Sequence, residues 1–135
     1  MKLLSLFLLM TLSLSAGSIE DFASKHGYFS SYEKAIAQAK KEDKILMFVL
    51  VTHYCPWCRK YERNTLSKKR IKALIHKKYT PLILNREAHQ FPDKFDSPRI
   101  PTTLFIDAKQ EKIIHAEMGF KTPSQFVEME KRVFK

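Results

Sequence analysis

Two cysteines separated by two residues are the side chains of this sequence best suited to chemistry. The segment reads Cys55-Pro56-Trp57-Cys58, and the sequence holds no third cysteine. A disulfide across so short a segment closes a very small loop, so it removes little entropy from the unfolded chain. Reactivity explains the pair better than stabilisation does. We therefore predict that Cys55 and Cys58 are catalytic and exchange a dithiol for a disulfide, with a purely structural disulfide as the plainer alternative.

A metal site is a second hypothesis for the same residues. His53, Cys55 and Cys58 fall within six residues of one another and could bind zinc or copper. Structural zinc normally takes four protein ligands, and the sequence has no second cysteine pair. Arg59 stands where a c-type haem attachment motif requires histidine. We therefore expect no metal and no bound cofactor, and keep a metal-binding module as the alternative function.

The residues around the pair predict a strand that runs into a helix. Residues 45–51 are an unbroken apolar run rich in β-favouring types, which is typical of a strand buried on both faces. Pro56 suits the first helical turn, where the N–H that proline lacks would have no partner, so we predict a helix over residues 57–66. Cys55 then lies at a helix N-terminus, which stabilises a thiolate and lowers the thiol pKa. Cys58, one turn further on, should be more buried.

The rest of the chain alternates between helical and strand signals. Helices are predicted where apolar residues recur at helical spacing behind a capping residue, with Ser30, Ser67 and Thr122 as the caps. Short apolar runs predict strands at residues 45–51, 81–84, 102–106 and 112–117. The order α, β, α, β, β, β, α with such apolar strands predicts three layers, with helices on both faces of a mixed sheet.

The first eighteen residues have the layout of a secretory signal peptide. Lys2 precedes an apolar run over residues 3–14, and small residues follow it. An uncleaved membrane anchor is the alternative, but a spanning helix needs about 20 mostly apolar residues, and serine and threonine interrupt this run. We expect residues 1–18 to be removed on export to the periplasm, leaving residues 19–135 as one domain.

The chain is basic, with 24 Lys and Arg against 14 Asp and Glu and a formal net charge of +10. Much of the excess lies in residues 68–72 and 77–78. Such a segment could attract acidic partners, anionic lipid or nucleic acid. No nucleic-acid motif accompanies it, so we interpret it as a solvated helix face. We expect a monomer whose partners are protein disulfides or dithiols, and we expect no nucleic-acid partner.

Four features together resemble the thioredoxin superfamily. They are the apolar strand into the Cys55–Cys58 pair, the Ile100-Pro101-Thr102 step about forty residues later, Gly119 after the last strand, and the closing helix. With the export signal, the chain looks most like periplasmic thioredoxin-like thiol–disulfide oxidoreductases, such as the domain that relays electrons from a membrane reductase in the bacterial Dsb system. The resemblance implies an α/β, three-layer thioredoxin-like fold with a central mixed four-stranded sheet flanked by helices.

The resemblance also implies roles for residues beside the pair. Pro101 would be preceded by a cis bond and face the disulfide, and the backbone of Ile100 would pair with the substrate chain; an ordinary strand-entry proline is the alternative. Independently of the resemblance, Trp57 and Tyr54 flank the pair in the sequence, and each could form an apolar rim for partner chains or pack locally; for Tyr54 we favour packing.

Two departures from thioredoxin leave parts of the mechanism open. Thioredoxin has Gly-Pro between its cysteines, where this chain has Pro56 and Trp57, so the direction of electron flow is not set. We prefer a reductase or electron relay, with a membrane electron donor as one possible partner. Val49 aligns with thioredoxin's buried acid, so another group must take the Cys58 proton. Glu87, His53 and His89 are candidates.

Overall fold

The computed structural model describes residues 18–135. Apart from Ser18, the predicted signal peptide lies outside the described residues. Within residues 18–135, none of the helices combines the length and the apolar character needed to cross a bilayer.

A mixed four-stranded sheet forms the centre of the fold. Its strands lie in the spatial order β2-β1-β3-β4; β1 and β2 are parallel, and the other two neighbouring pairs are antiparallel. The strands are β1 Ile45–Val51, β2 Tyr79–Asn85, β3 Thr102–Asp107 and β4 Lys112–Met118. All four predicted strands are confirmed, and β2 is longer than its prediction at both ends.

Helices cover both faces of this sheet. The α-helices are α1 Ile19–His26, α2 Tyr32–Glu42, α3 Pro56–Tyr61, α4 Lys69–Lys78 and α5 Pro123–Glu130. A π-helical turn, Glu62–Leu66, continues α3, and two short 3-10 turns lie between β2 and β3. The predicted architecture of three layers, with helices on both faces of a mixed four-stranded sheet, is confirmed.

Strand β1 separates two hydrophobic cores. Met47, Val49 and Val51 point into the core that also contains both cysteines and residues of α1, α4 and α5. The alternate residues Leu46, Phe48 and Leu50 point into the core beneath α2. Successive strand residues face opposite sides of a sheet, so an unbroken apolar run is what a strand between two cores requires.

Two of the three predicted helix caps are wrong. Helix α2 is capped by Ser31 instead of Ser30, because the Ser31 hydroxyl accepts from the N–H of Lys34. Ser67 does not cap α4, whose N-cap is Lys68; it follows the last residue of the π-helical turn, and its hydroxyl donates to the Arg63 carbonyl at 2.8 Å. The box formed by Thr122 and Gln125 is confirmed.

Helix α1 was not predicted, although its signals are in the sequence. The Ser18 hydroxyl accepts from the Asp21 N–H at 3.0 Å, and the Asp21 carboxylate accepts from the Ser18 N–H at 3.1 Å. Ile19 and Ala23, four residues apart, are almost fully buried. The chain then adds Phe29 to the outer edge of β2 by two backbone hydrogen bonds, of 2.8 and 3.0 Å. Helix α1 is therefore an integral part of the domain.

The Ser18 capping box should contribute measurably to stability. We expect Ser18→Ala to lower the free energy of unfolding by about 1 kcal/mol, because the N–H of Asp21 loses its acceptor. Ser24→Ala, an exposed position within α1, is the matched control and should change it by less than about 0.5 kcal/mol. Urea unfolding followed by circular dichroism measures both. Equal effects would show that the box does not hold the start of the domain.

Candidate active site

The Cys55–Cys58 disulfide lies where β1 passes into α3. Cys55 is the N-cap of α3, and Pro56 occupies the first helical position, as the sequence predicts. The two Cα atoms are 5.1 Å apart. The N–H of Cys58 donates to the Cys55 sulfur at 3.1 Å. In the reduced protein, the same N–H and the helix N-terminus would stabilise a thiolate on Cys55.

The two sulfurs differ in access to solvent. Cys55 is 8% exposed, whereas Cys58 is fully buried. A partner can therefore approach the pair only from the Cys55 side. This difference agrees with the order of exposure predicted from the helical positions.

Two aromatic residues flank the pair, and both leave a large area open. Tyr54 is 95% exposed, so its interpretation as a packing residue is wrong; it lies in the turn between the end of β1 and the start of α3. Trp57 is 58% exposed, yet its ring packs against Phe120 with centroids 5.8 Å apart. Trp57 thus has one packed side and one side free for a partner.

The residues expected to contact substrate lie along one groove. The Ile100–Pro101 peptide bond is cis. Trp57, Ile100 and Pro101 line an open groove of about 570 Å³, together with Lys60, Gly119, Phe120, Thr122 and Gln125. The structure therefore brings together the three residues that the sequence analysis predicts to bind substrate.

One hydrogen bond joins two residues of the groove lining, and two more join the elements next to it. The N–H of Gly119 donates to the Pro101 carbonyl at 2.7 Å, and Gly119 has a φ of 85°, which only glycine adopts without strain. The hydroxyl of Thr65 donates to the Lys121 carbonyl at 2.6 Å. The hydroxyls of Tyr61 and Thr103 lie 3.1 Å apart and join the first helix after the pair to β3.

A buried carboxyl lies one helical turn after the disulfide. Glu62 is 6% exposed, and its N–H donates to the Cys58 carbonyl, so the two side chains share one side of the helix. Two guanidinium nitrogens of Arg59 lie 2.6 and 2.7 Å from one Glu62 oxygen. Burial raises the pKa of Glu62 above its usual value, and outweighs the opposing effect of Arg59.

The surroundings of Glu62 connect it to the segment before Cys55. Arg59 also donates to the carbonyl of His53, at 3.4 Å. The charge of Glu62 is one of the causes that raise the pKa of Tyr28, although burial is the larger cause. The Tyr28 hydroxyl is buried without a hydrogen-bond partner among the described residues. Glu62 therefore lies among polar groups next to Tyr28, at the inner end of an open pocket that residues of α1 also line.

Sequence reasoning did not single out Glu62. Its signal was the four-residue spacing from Cys58, together with a basic residue at position 59. The residues proposed instead as proton acceptors are less well placed: Glu87 and the side chain of His53 are exposed, and His89 lies 2.6 Å from Asp93.

The metal hypothesis finds no cluster to support it. Among residues 18–135, no three His, Cys, Asp or Glu side chains come together as a metal site would require. In particular, His53 does not join Cys55 and Cys58 in such a group.

A family model described as thioredoxin-like matches residues 28–108. This stretch is more than half of the chain, and it contains both the cysteine pair and the Ile100–Pro101 step. The chain belongs to the thioredoxin-like family. The predicted family resemblance is thereby confirmed, whereas Gly119 and α5 lie beyond the matched stretch.

Solved structures show the same thioredoxin-like fold. A thioredoxin from Thermus thermophilus is 18% identical with a TM-score of 0.65, covering 79% of this chain and 86% of its own. An oxidoreductase named DsbH is 21% identical, with a TM-score of 0.61 and coverages of 78% and 82%. The DsbD C-terminal domain of Neisseria meningitidis, in its oxidised form, is 15% identical, with a TM-score of 0.62 and coverages of 78% and 97%.

At these identities, the likeness establishes the fold and leaves substrates and partners to be argued from the site. No curated protein matches this chain.

The Glu62 carboxylate should influence the reactivity of the reduced cysteines. A buried negative charge disfavours a neighbouring thiolate and raises the thiol pKa. We expect Glu62→Gln to move the iodoacetamide alkylation profile of Cys55 to lower pH. Glu87→Gln removes an exposed, solvent-screened carboxylate and should leave the profile unchanged. An unchanged profile for Glu62→Gln would mean that this carboxyl does not act on the pair.

Proposed function

We propose that this protein is an exported thiol–disulfide oxidoreductase that acts on protein partners as a reductase or electron relay. The observation that carries the proposal is the unequal pair at the helix N-terminus. Cys55 keeps 8% of its surface exposed and accepts a backbone hydrogen bond at its sulfur, whereas Cys58 has no exposed surface. An accessible nucleophile with a sheltered resolving thiol is what two-step disulfide exchange needs.

In the first step, the Cys55 thiolate attacks one sulfur of a partner's disulfide. A bond forms between Cys55 and that sulfur, the partner's S–S bond breaks, and the other partner sulfur leaves as a thiolate. In the second step, Cys58 loses its proton and attacks the Cys55 sulfur. The Cys55–Cys58 disulfide forms and the second partner sulfur leaves. The partner gains two electrons and this protein loses two.

Glu62 is our proposed acceptor for the Cys58 proton. Its side chain lies on the same side of the helix, it is buried, and its raised pKa brings it closer to that of a thiol. A proton acceptor works best when its pKa is near the operating pH. Arg59 holds the carboxylate in place through the contacts at 2.6 and 2.7 Å.

The groove beside the pair would hold the partner chain. Trp57 and Pro101 offer apolar contacts next to the reactive sulfur. The backbone of Ile100 would pair with an extended partner segment, as the family resemblance implies.

The negative charge of Glu62 supports electron flow from this protein to its partner. Disulfide couples become strongly oxidising when the protein stabilises its reduced, thiolate form. Here the buried carboxyl of Glu62 opposes a thiolate in the same region, which favours the oxidised protein and so makes the dithiol a better reductant.

The predicted signal peptide supports export of the protein. Residues 1–18 have the signal-peptide pattern, and α1 begins directly after them at Ile19. Because Ser18 caps α1, we place it with the folded domain and propose removal of the residues before it. The mature domain would act in the periplasm as a monomer, and a membrane reductase could supply its electrons.

Single-cysteine variants test the order of the two steps. We expect Cys58→Ser to accumulate mixed disulfides with partner proteins, because nothing remains to displace the partner from Cys55. Cys55→Ser should trap several-fold less, because Cys58 is buried. Non-reducing gels of acid-quenched cells that export each variant measure the trapped fraction.

Insulin reduction provides the activity readout, and both variants should lose turnover while remaining folded, since so short a loop contributes little chain entropy. Mixed disulfides must disappear with dithiothreitol. Equal trapping by the two variants would overturn the assignment of Cys55 as the nucleophile, and no trapping by either would contradict the proposed activity.

A further inference from the structure

The groove beside the disulfide carries one charged side chain, and that side chain has no charged partner in the part of the chain that the structure describes. The Lys60 ammonium lies 4.8 Å from the centroid of the Trp57 ring and 5.2 Å from that of Phe120. The neighbouring cation Lys121 is paired with Glu117 at 3.7 Å. Lys60, by contrast, takes part in none of the ion pairs formed within residues 18–135.

The other polar group in the groove is also a donor. The side-chain carbonyl of Gln125 accepts from the Thr122 N–H at 2.9 Å, which leaves its amide nitrogen as the free end. The remaining lining is apolar or backbone, and no lining residue carries a carboxylate. The groove therefore offers a cation and N–H donors between aromatic side chains, and its lining contains no negative charge to pair with the Lys60 ammonium.

We propose that this groove selects partner chains that carry a carboxylate two or three residues from their reactive cysteine. This inference rests on the proposed function. Lys60 follows Cys55 by five residues along one helix, so at 1.5 Å per residue its Cα lies about 7–8 Å further along the helix axis, and its ammonium reaches back over the ring of Trp57. An extended partner rises about 3.3 Å per residue. For a partner that runs along the groove from Trp57 towards Lys60, a long side chain two or three residues from the partner's cysteine therefore reaches the ammonium.

The aromatic rings strengthen the selection. They hold the Lys60 ammonium over their faces and remove part of its water, so its attraction to a carboxylate is greater than that of a fully hydrated surface lysine. The same charge repels a basic side chain in that position, which adds discrimination against the wrong partner. Lys60 is thus a specificity-determining residue and takes no part in the sulfur chemistry.

Symmetrical peptide disulfides test this directly. Three peptides carry Glu, Gln or Lys two residues to each side of a single cysteine, and stopped-flow kinetics measure their reaction with the reduced protein. Each rate is divided by the rate with dithiothreitol, which corrects for the intrinsic reactivity of the peptide. We expect the Glu peptide to react about fivefold faster than the Gln peptide, and the Lys peptide to be slowest.

Variants assign this preference to Lys60. Lys60→Met should make the corrected rates of the three peptides nearly equal to one another, whereas Lys60→Arg should keep the preference for the Glu peptide. Lys34→Met changes an exposed lysine in α2 and should show the same preference as the wild type. Comparing peptides on one protein cancels any change in the thiolate fraction. Equal rates for the three peptides on the wild type, or a preference that survives Lys60→Met, would overturn the inference while exchange itself stands. No reaction with any peptide or with 2-hydroxyethyl disulfide would instead remove the proposed function.

Discussion

Burial of strand β1 on both faces is the constraint on which the site depends. Its side chains alternate between two cores, one beneath α2 and one shared with the cysteines. Such a strand cannot shift by one residue without exchanging the contents of the two cores. The position of its last residue, Val51, is therefore fixed, and the short turn to Cys55 starts from a rigid edge. Cys55, whose sulfur must be held in a fixed position to react, therefore follows the end of the strand whose register is fixed by both cores.

The helix that follows gives the two cysteines different environments. The end of a helix leaves backbone N–H groups without partners, and one of them, from Cys58, is directed at the Cys55 sulfur. The next turn brings Glu62 to the same side of the helix as Cys58, where burial raises its pKa. The helix N-terminus would stabilise a thiolate in the reduced pair, and the negative charge of Glu62 would destabilise it. In the proposed function, their balance would set the reduction potential of the pair, and the contact of Arg59 with Glu62 would moderate the effect of the carboxyl.

Much of this arrangement could be predicted from the sequence, because it depends on local patterns. The apolar run of β1, the proline at the first helical position and the Thr122 capping box each act within a few residues. What was missed depends on tertiary context. Tyr54 reads as a packing residue but lies in an exposed turn, and the π-helical turn after Tyr61 moves Ser67 out of its capping role. The burial of Glu62 is decided by elements distant in sequence, so spacing alone did not reveal it.

The reduction potential of the Cys55–Cys58 couple is the most direct test of the central claim that this site is a reducing disulfide exchanger. Equilibration of the protein with glutathione or dithiothreitol buffers, followed by mass spectrometry after alkylation, measures it. The account predicts a value close to that of a reducing thioredoxin, about −270 mV, because the buried carboxyl opposes the thiolate of the reduced form. A value near about −120 mV would show a reduced form stabilised by the protein, and would contradict the reductase assignment.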